Sequence, residues 1–230
     1  MKNHLLILIL LTQATLLTAQ HETGFRLSVL ANKVNDSDSK SDKYRWRPAA
    51  PGAALLVAWQ LHYDWYLQTE LGYAQRNTVY SSSGVSHQIT NDYQLHLMEA
   101  SLLGKYHLDI ARPSIRLVFG LTAGYAISGM LHRYGHSVSP STFNFRESVD
   151  FEYFYLRRFQ YGPVFGVEVL QRVFRAGALA FEMRYAYYPE KYQSKRDNPN
   201  ETRYMFGLGY RWLFGKPKVR MPDARHLGKK

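Results

Sequence analysis

The chain contains no cysteine. That excludes disulfides, thiolate metal sites, a cysteine nucleophile and a lipid-modified N-terminal cysteine. No stretch reaches the roughly 18 consecutive apolar residues needed to cross a bilayer as a helix. Gly-rich phosphate loops, zinc-ligand spacings and RNA-binding signatures are missing as well. Nucleic acid is therefore not an expected partner, although the formal net charge is +11 over 230 residues. There is no nucleophile-elbow motif. No internal repeat beyond a hairpin rhythm, no long helical pattern and no linker divides the chain, which suits a single domain.

What the chain does have is tyrosine, 18 of them in an aromatic fraction of 15%. Tyrosine and tryptophan favour membrane interfaces. The first residues read as an export signal: Lys2 and His4 precede a short, mostly apolar stretch over residues 5–17. Cleavage after Ala19 is expected, leaving Gln20 or His21 first, although Leu17 stands where a small residue is preferred. An uncleaved anchor is the alternative. An exported chain without a spanning helix enters a membrane only as a closed barrel.

The mature chain alternates with a period of two, the mark of strands with unlike faces. Phe25, Leu27, Val29 and Ala31 alternate with Arg26, Ser28 and Asn32. Leu55, Val57, Trp59 and Leu61 oppose Ala58, Gln60 and His62. Leu67, Thr69, Leu71 and Tyr73 oppose Gln68, Glu70, Gly72, Ala74 and Arg76. Met98, Ala100, Leu102 and Tyr106 oppose Glu99, Ser101 and Lys105. The preceding Tyr93, Leu95 and Leu97 have the opposite parity, which predicts a bulge near Leu97. Four more segments follow, over residues 115–128, 160–169, 179–187 and 204–214. Pro163 predicts a second bulge. Eight strands alternate with long and short connections, the long ones spanning residues 32–51, 81–92, 129–152 and 189–201. This is the rhythm of outer-membrane barrels, with long loops outside and both termini in the periplasm.

The face opposite the bulky apolar residues is rich in Gly, Ala and Ser, with a few charges. It makes a poor solvent surface and a good tightly filled interior. The expectation is an all-β, eight-stranded antiparallel up-and-down transmembrane β-barrel with its oily face toward lipid. Residues 1–19 would be the signal peptide, 20–215 the barrel and 216–230 a basic periplasmic tail. Glu70, Glu99, Glu168 and Glu182 then face inward with Arg76, Lys105, Arg116, Arg184 and Arg211. Buried charges demand partners, so these nine are expected to form an interior ion-pair network that plugs the barrel. Glu70 and Arg116 are one candidate pair. Trp59, Tyr63, Trp65, Tyr66, Tyr210, Trp212 and Phe214 are expected in a periplasmic aromatic girdle, and Tyr80, Tyr125, Tyr187 and Tyr188 in an outer one.

Several segments together carry a family likeness. GFRLSVLANKV stands where an opening strand is expected, LQTELGYAQR as a Glu-containing strand, LHLMEASLLGKYHL and RPSIRLVFGLTAGY as the next two, and LGLGYRWLF as a closing strand with a terminal aromatic. In order and spacing, over roughly residues 23–215, the chain resembles the PorT-like outer-membrane β-barrel proteins (the outer membrane protein β-barrel domain) of Bacteroidota. It departs from them at Leu30-Ala31-Asn32, where Gly-Leu-Asn is usual, at Ser101 for proline, and in the basic tail. The resemblance implies an exported eight-stranded barrel and no reaction. One member type takes part in a secretion system.

Catalysis has one candidate site, His132, His136 and Ser137, with Glu147 or Asp150 to complete a triad. A metal pair at His132 and His136 is weaker, since their spacing brings ligands together only on a helix. Arg45, Arg47, Arg133, Arg146, Arg157, Arg158 and Arg196 fall in or near the long loops and are candidate contacts for lipopolysaccharide phosphates, which suit bidentate arginine. The function expected is non-catalytic, a structural or interaction role in the envelope, within a secretion or surface assembly. No cofactor is expected. The partners expected are outer-membrane lipid, lipopolysaccharide and an envelope or secretion-system protein. A small-solute channel, a lipid-modifying enzyme and a soluble ligand-binding barrel are the alternatives.

Overall fold

The computed structural model describes residues 21–35, 50–84, 87–108, 113–137, 142–151, 158–174, 176–189 and 200–215. The expected export signal and basic tail lie outside them. Among the described residues there are nine strands: β1 (His21–Asn35), β2 (Ala50–Gln60), β3 (Trp65–Gly84), β4 (His87–Leu108), β5 (Ser114–Ser137), β6 (Thr142–Ser148), β7 (Phe159–Phe174), β8 (Gly177–Tyr188) and β9 (Asn200–Phe214). Each pairs antiparallel with its neighbours. β1 pairs with β9 and β4 with β5, and these contacts close a barrel of eight strands. Closure leaves no sheet edge within the barrel wall, which is what allows a β-structure to sit in hydrocarbon.

The sixth strand in chain order is an addition. Among the described residues β6 pairs only with the upper part of β5, Met130 to His136, while β7 takes the lower part, Ser114 to Tyr125. β3, β4 and β5 run for 20, 22 and 24 residues, against 11 for β2 and 12 for β8. One wall is therefore much taller than the other. Residues 81–92 and 129–152, expected as long loops, are largely strand: β3 and β4 are ladder-paired out to Gly84 and His87, and β5 doubles back through β6. Their polar composition hides this, because a segment without apolar alternation reads as loop.

Alternation sets the facing throughout the barrel. Leu55 and Leu121 are 71% and 61% exposed on the outside, and Phe25, Leu71, Leu102, Phe165, Phe181, Phe206 and Leu208 join them. So continuous an apolar exterior is far beyond what a soluble monomer carries, and it matches a lipid-facing band. Trp59, Tyr63, Trp65, Tyr210, Trp212 and Phe214 stand outward near the short turns, and Tyr125 and Tyr187 outward higher up. Tyr66 and Tyr188 do not belong to girdles. Both point inward and are buried, because their parity is that of Gln68 and Arg184. The side chain of Tyr80 lies outside the described set.

Of the two expected irregularities, the one near Leu97 is present as a register shift between His96 and Leu97, though on the partner strand, and the one at Pro163 falls elsewhere. Leu95 and Leu97 keep the inward parity of Glu99, so β4 runs through without reversing. The extra residue is in its partner: His96 pairs with Ser128 and Leu97 with Ala126, which leaves Ile127 as the bulge. At Pro163 the register with β5 is unbroken, Leu121 opposite Pro163, and the β7–β8 ladder begins one residue later at Val164. The β8 ladder thus stops short of the proline, which has no N–H to donate to it, and the bulge in β7 lies between Arg172 and Phe174 instead.

Candidate functional site: the charged lumen

The inward residues meet in layers. In the lower layer, nearer the short turns, Arg116 donates to both oxygens of Glu22 at 2.6 and 2.8 Å, with its guanidinium 4.0 Å above the Tyr66 ring. Arg116 also lies 3.5 Å from Glu168. Glu168 takes Lys105 at 2.7 Å and Arg211 at 2.8 Å. Arg211 reaches on to Glu182, which Arg184 approaches at 2.6 Å, Arg26 at 3.1 Å and Lys105 at 3.6 Å. Glu70 closes the chain, bidentate with Arg184 and joined by Arg26 at 2.8 Å and by Gln68. One continuous lattice thus links seven of the eight barrel strands. Such geometry, bidentate and multiply shared, is what offsets the cost of removing ions from water.

An upper layer repeats the device. Arg76 pairs with Glu201 and donates to Gln160 at 2.9 Å. Arg203 pairs with Glu99, donates to Asn32 at 3.0 Å and lies 4.8 Å from the Tyr188 ring centre. Between the layers, Leu30, Ala74 and Met205 pack on one side and Leu103, Val118, Val164 and Ala186 on the other. A pocket between Arg26, Glu70, Glu99 and Met205 holds about 20 Å³, room for about one water. Above the upper layer, Leu95, Leu97, Ala126 and Leu131 gather around Val149 and Phe151, which return from the end of β6 into the barrel mouth. Val149 is fixed there by its N–H donating to Gly129 O at 3.0 Å.

All nine residues expected inside are inside and ion-paired, but not all in the expected pairs. Glu70 bridges Arg26 and Arg184, whereas Arg116 bridges Glu22 and Glu168. Glu70 and Arg116 share no direct bridge. Sequence reading missed Glu22, Arg26, Glu201 and Arg203. A signal existed: Glu201 and Arg203 share the parity of Arg211, and Glu22 that of Arg26, once the strands are extended past their apolar stretches.

Of the arginines on the long connections, Arg133, Arg146 and Arg158 are described; Arg45, Arg47, Arg157 and Arg196 lie outside the described residues. Arg133 donates to Asn91 at 2.7 Å and leans on Phe145, and Arg158 lies over Phe151. Arg146 is paired in register with His132 on the other face of the β5–β6 hairpin from Arg133. The structure therefore does not bring them into one cluster. His132 meets Asn144 at 2.6 Å, and Glu147 stands in register with Leu131 rather than with His132. The side chains of His136 and Ser137 are not among those described. Among the described residues no group of three or more His, Cys, Asp or Glu is arranged to hold a metal.

A model of the outer membrane protein beta-barrel domain matches residues 18–187. The chain belongs to that family. The family is one of outer-membrane β-barrels, and the closed barrel described above agrees with it. Among solved structures the barrel is similar to Ail of Yersinia pestis, at 15% identity, with 83% of this chain and 98% of that one covered and a TM-score of 0.42. It is also similar to Neisserial surface protein A, at 13% identity, 84% and 97% coverage and a TM-score of 0.42. OprG of Pseudomonas aeruginosa follows at 8% identity, 86% and 97% coverage and 0.39. The sequence matches no curated protein.

Proposed function

We propose that this outer-membrane barrel is non-catalytic, that its lumen is permanently plugged, and that its role is structural or interactive, as a platform within an envelope, secretion or surface assembly. The observation that carries the reading is the ion-pair lattice from Glu22 to Glu70, with a second charged layer and an apolar cap above it. A lumen so filled leaves solute passage and an internal reaction site without room. What remains available for work is the outside and the open ends of the barrel. In this reading the short turns and both termini face the periplasm, and the tall β3–β6 wall projects from the cell. Arg146 and Arg158, exposed near that wall, are read as lipopolysaccharide contacts, together with Arg45, Arg47, Arg133, Arg157 and Arg196. The order and spacing of the segments support reading it as one of the PorT-like barrels of Bacteroidota.

The test is a mild-detergent pull-down of the tagged barrel from native outer membrane, with mass spectrometry of proteins and lipid A. A stoichiometric envelope protein and unaltered lipid A are expected. A lipid A species that depends on His132 or Ser137, with no protein partner, would overturn the reading in favour of an enzyme.

A further inference from the structure

At the short-turn end the lumen opens into a vestibule of about 490 Å³. Its lining includes Glu22, Tyr66 and Arg116 of the plug, together with His107, Ser114 and Arg172. Pro113, Leu170, Ala178 and Leu213 supply apolar wall. Among the described lining residues Glu22 is the sole acid, and both its oxygens are taken by Arg116. His107 Nδ1 and Ser114 Oγ are 3.0 Å apart, a hydrogen-bonded pair joining the end of β4 to the start of β5. Arg172 stands opposite Ala178 in the ladder, beside the β7 bulge. The bulge matters because an extra residue re-aims the side chains beside it: Val173 and Phe174 are exposed outside, while Arg172 lines the vestibule. Arg172 has no ion-pair partner among the described residues.

The open charge of this cavity is therefore positive, provided by one guanidinium beside a hydroxyl–imidazole pair. We propose that the vestibule is a binding site for a carboxylate, the end of a short peptide or a small amino-acid-like acid. Arg172 takes the carboxylate as a planar fork, and Ser114, on the adjoining strand β5 opposite Leu170 in the ladder, donates its O–H to it while His107 Nδ1–H donates to the Ser114 oxygen. A single guanidinium balances one negative charge, which suits a carboxylate and leaves a doubly charged phosphate half-compensated. The volume falls within the range of small-ligand sites, and Leu170, Ala178 and Leu213 accept the hydrocarbon behind the acid. The chain's own basic tail has the wrong sign for this site. The assignment holds whichever compartment the short turns face.

The test uses the full chain in detergent, titrated calorimetrically with N-acetyl-alanyl-alanine and with its C-terminal amide. The acid is expected to bind and the amide not. Arg172→Gln, a residue outside the plug, is expected to weaken the acid about tenfold or more, since a hydrogen bond to a charged group is typically worth that much. Ser114→Ala is expected to weaken it less. The heat-induced shift in gel mobility checks that both variants are folded. If N-acetyl-alanine binds as tightly as the longer peptide, the ligand is a free small acid; if affinity grows with length, it is a peptide end. Equal binding of acid and amide, unchanged affinity in folded Arg172→Gln, or no binding of the acid at millimolar concentration would overturn the assignment.

Discussion

Glu182→Gln is the sharpest perturbation of the plug. Its carboxylate serves Arg26, Arg184, Arg211 and Lys105, at distances of 3.1 Å and 2.6 Å for the first two and 3.6 Å for the lysine. Glutamine keeps the shape, removes the charge and turns an NH₂ toward donors. Removing one partner of a buried pair costs about 3–5 kcal/mol. The loss is not multiplied by the number of bases, because Glu168 still holds Lys105 and Arg211, and Glu70 still holds Arg26 and Arg184. The expected destabilisation is therefore about 3–5 kcal/mol, a large share of an ordinary domain's stability of about 5–15 kcal/mol. Urea unfolding from lipid vesicles, followed by tryptophan fluorescence, measures it as a shift in midpoint at constant slope. Glu147→Gln, on the exposed hairpin, is the control and should stay within about 0.5 kcal/mol. Adding Lys105→Met to Glu182→Gln restores the charge balance and should recover at least about 1 kcal/mol as coupling. A Glu182→Gln variant within about 1 kcal/mol of wild type, or a double variant that is simply additive, would refute the reasoning.

A double-mutant cycle on Glu22 and Arg116 should give coupling of about 1–3 kcal/mol, whereas one on Glu70 and Arg116 should give close to none by comparison, because only the first pair is directly bridged. Leu121→Arg, in the middle of the outer face of β5, should cost about 2–4 kcal/mol in vesicles, and Phe174→Arg, beside a short turn, about 0–1 kcal/mol; equal costs would remove the membrane from the account. At Gly162 an added Cβ would lie 1.8 Å from Tyr187 O, so Gly162→Ala should lower stability by about 1–3 kcal/mol in the same unfolding assay.

The barrel was legible in the sequence wherever one face met lipid. Leu117, Phe119 and Leu121 against Arg116, Gly120 and Thr122 state both a strand and its facing, because hydrocarbon outside and a crowded lumen inside impose opposite chemistry on successive residues. The signal faded where the strands leave the membrane. β6 is exposed on both faces, so Thr142 to Ser148 reads as loop although it is hydrogen-bonded sheet. The bulge shows a different limit. Tyr93, Leu95 and Leu97 read as an outward face because they are apolar, yet Leu95 and Leu97 point inward to pack on Val149 and Phe151. Hydrophobicity alone does not separate lipid from an apolar cap inside the mouth. For the plug, parity told which charges face inward but not which meet. Pairing depends on stagger around the barrel, and the bridge from Arg26 on β1 across the lumen to Glu70 on β3 and Glu182 on β8 follows from closure rather than from any one strand.

The central claim, a lumen sealed by ion pairs, is tested most directly by planar-bilayer recording of the purified barrel at high salt. No discrete conductance steps are expected from wild type, since the two charged layers and the cap of Leu95, Leu97, Leu131, Val149 and Phe151 leave no continuous water path. Reproducible, long-lived steps from wild-type protein, abolished when the barrel is unfolded, would contradict the plug and make the protein a channel.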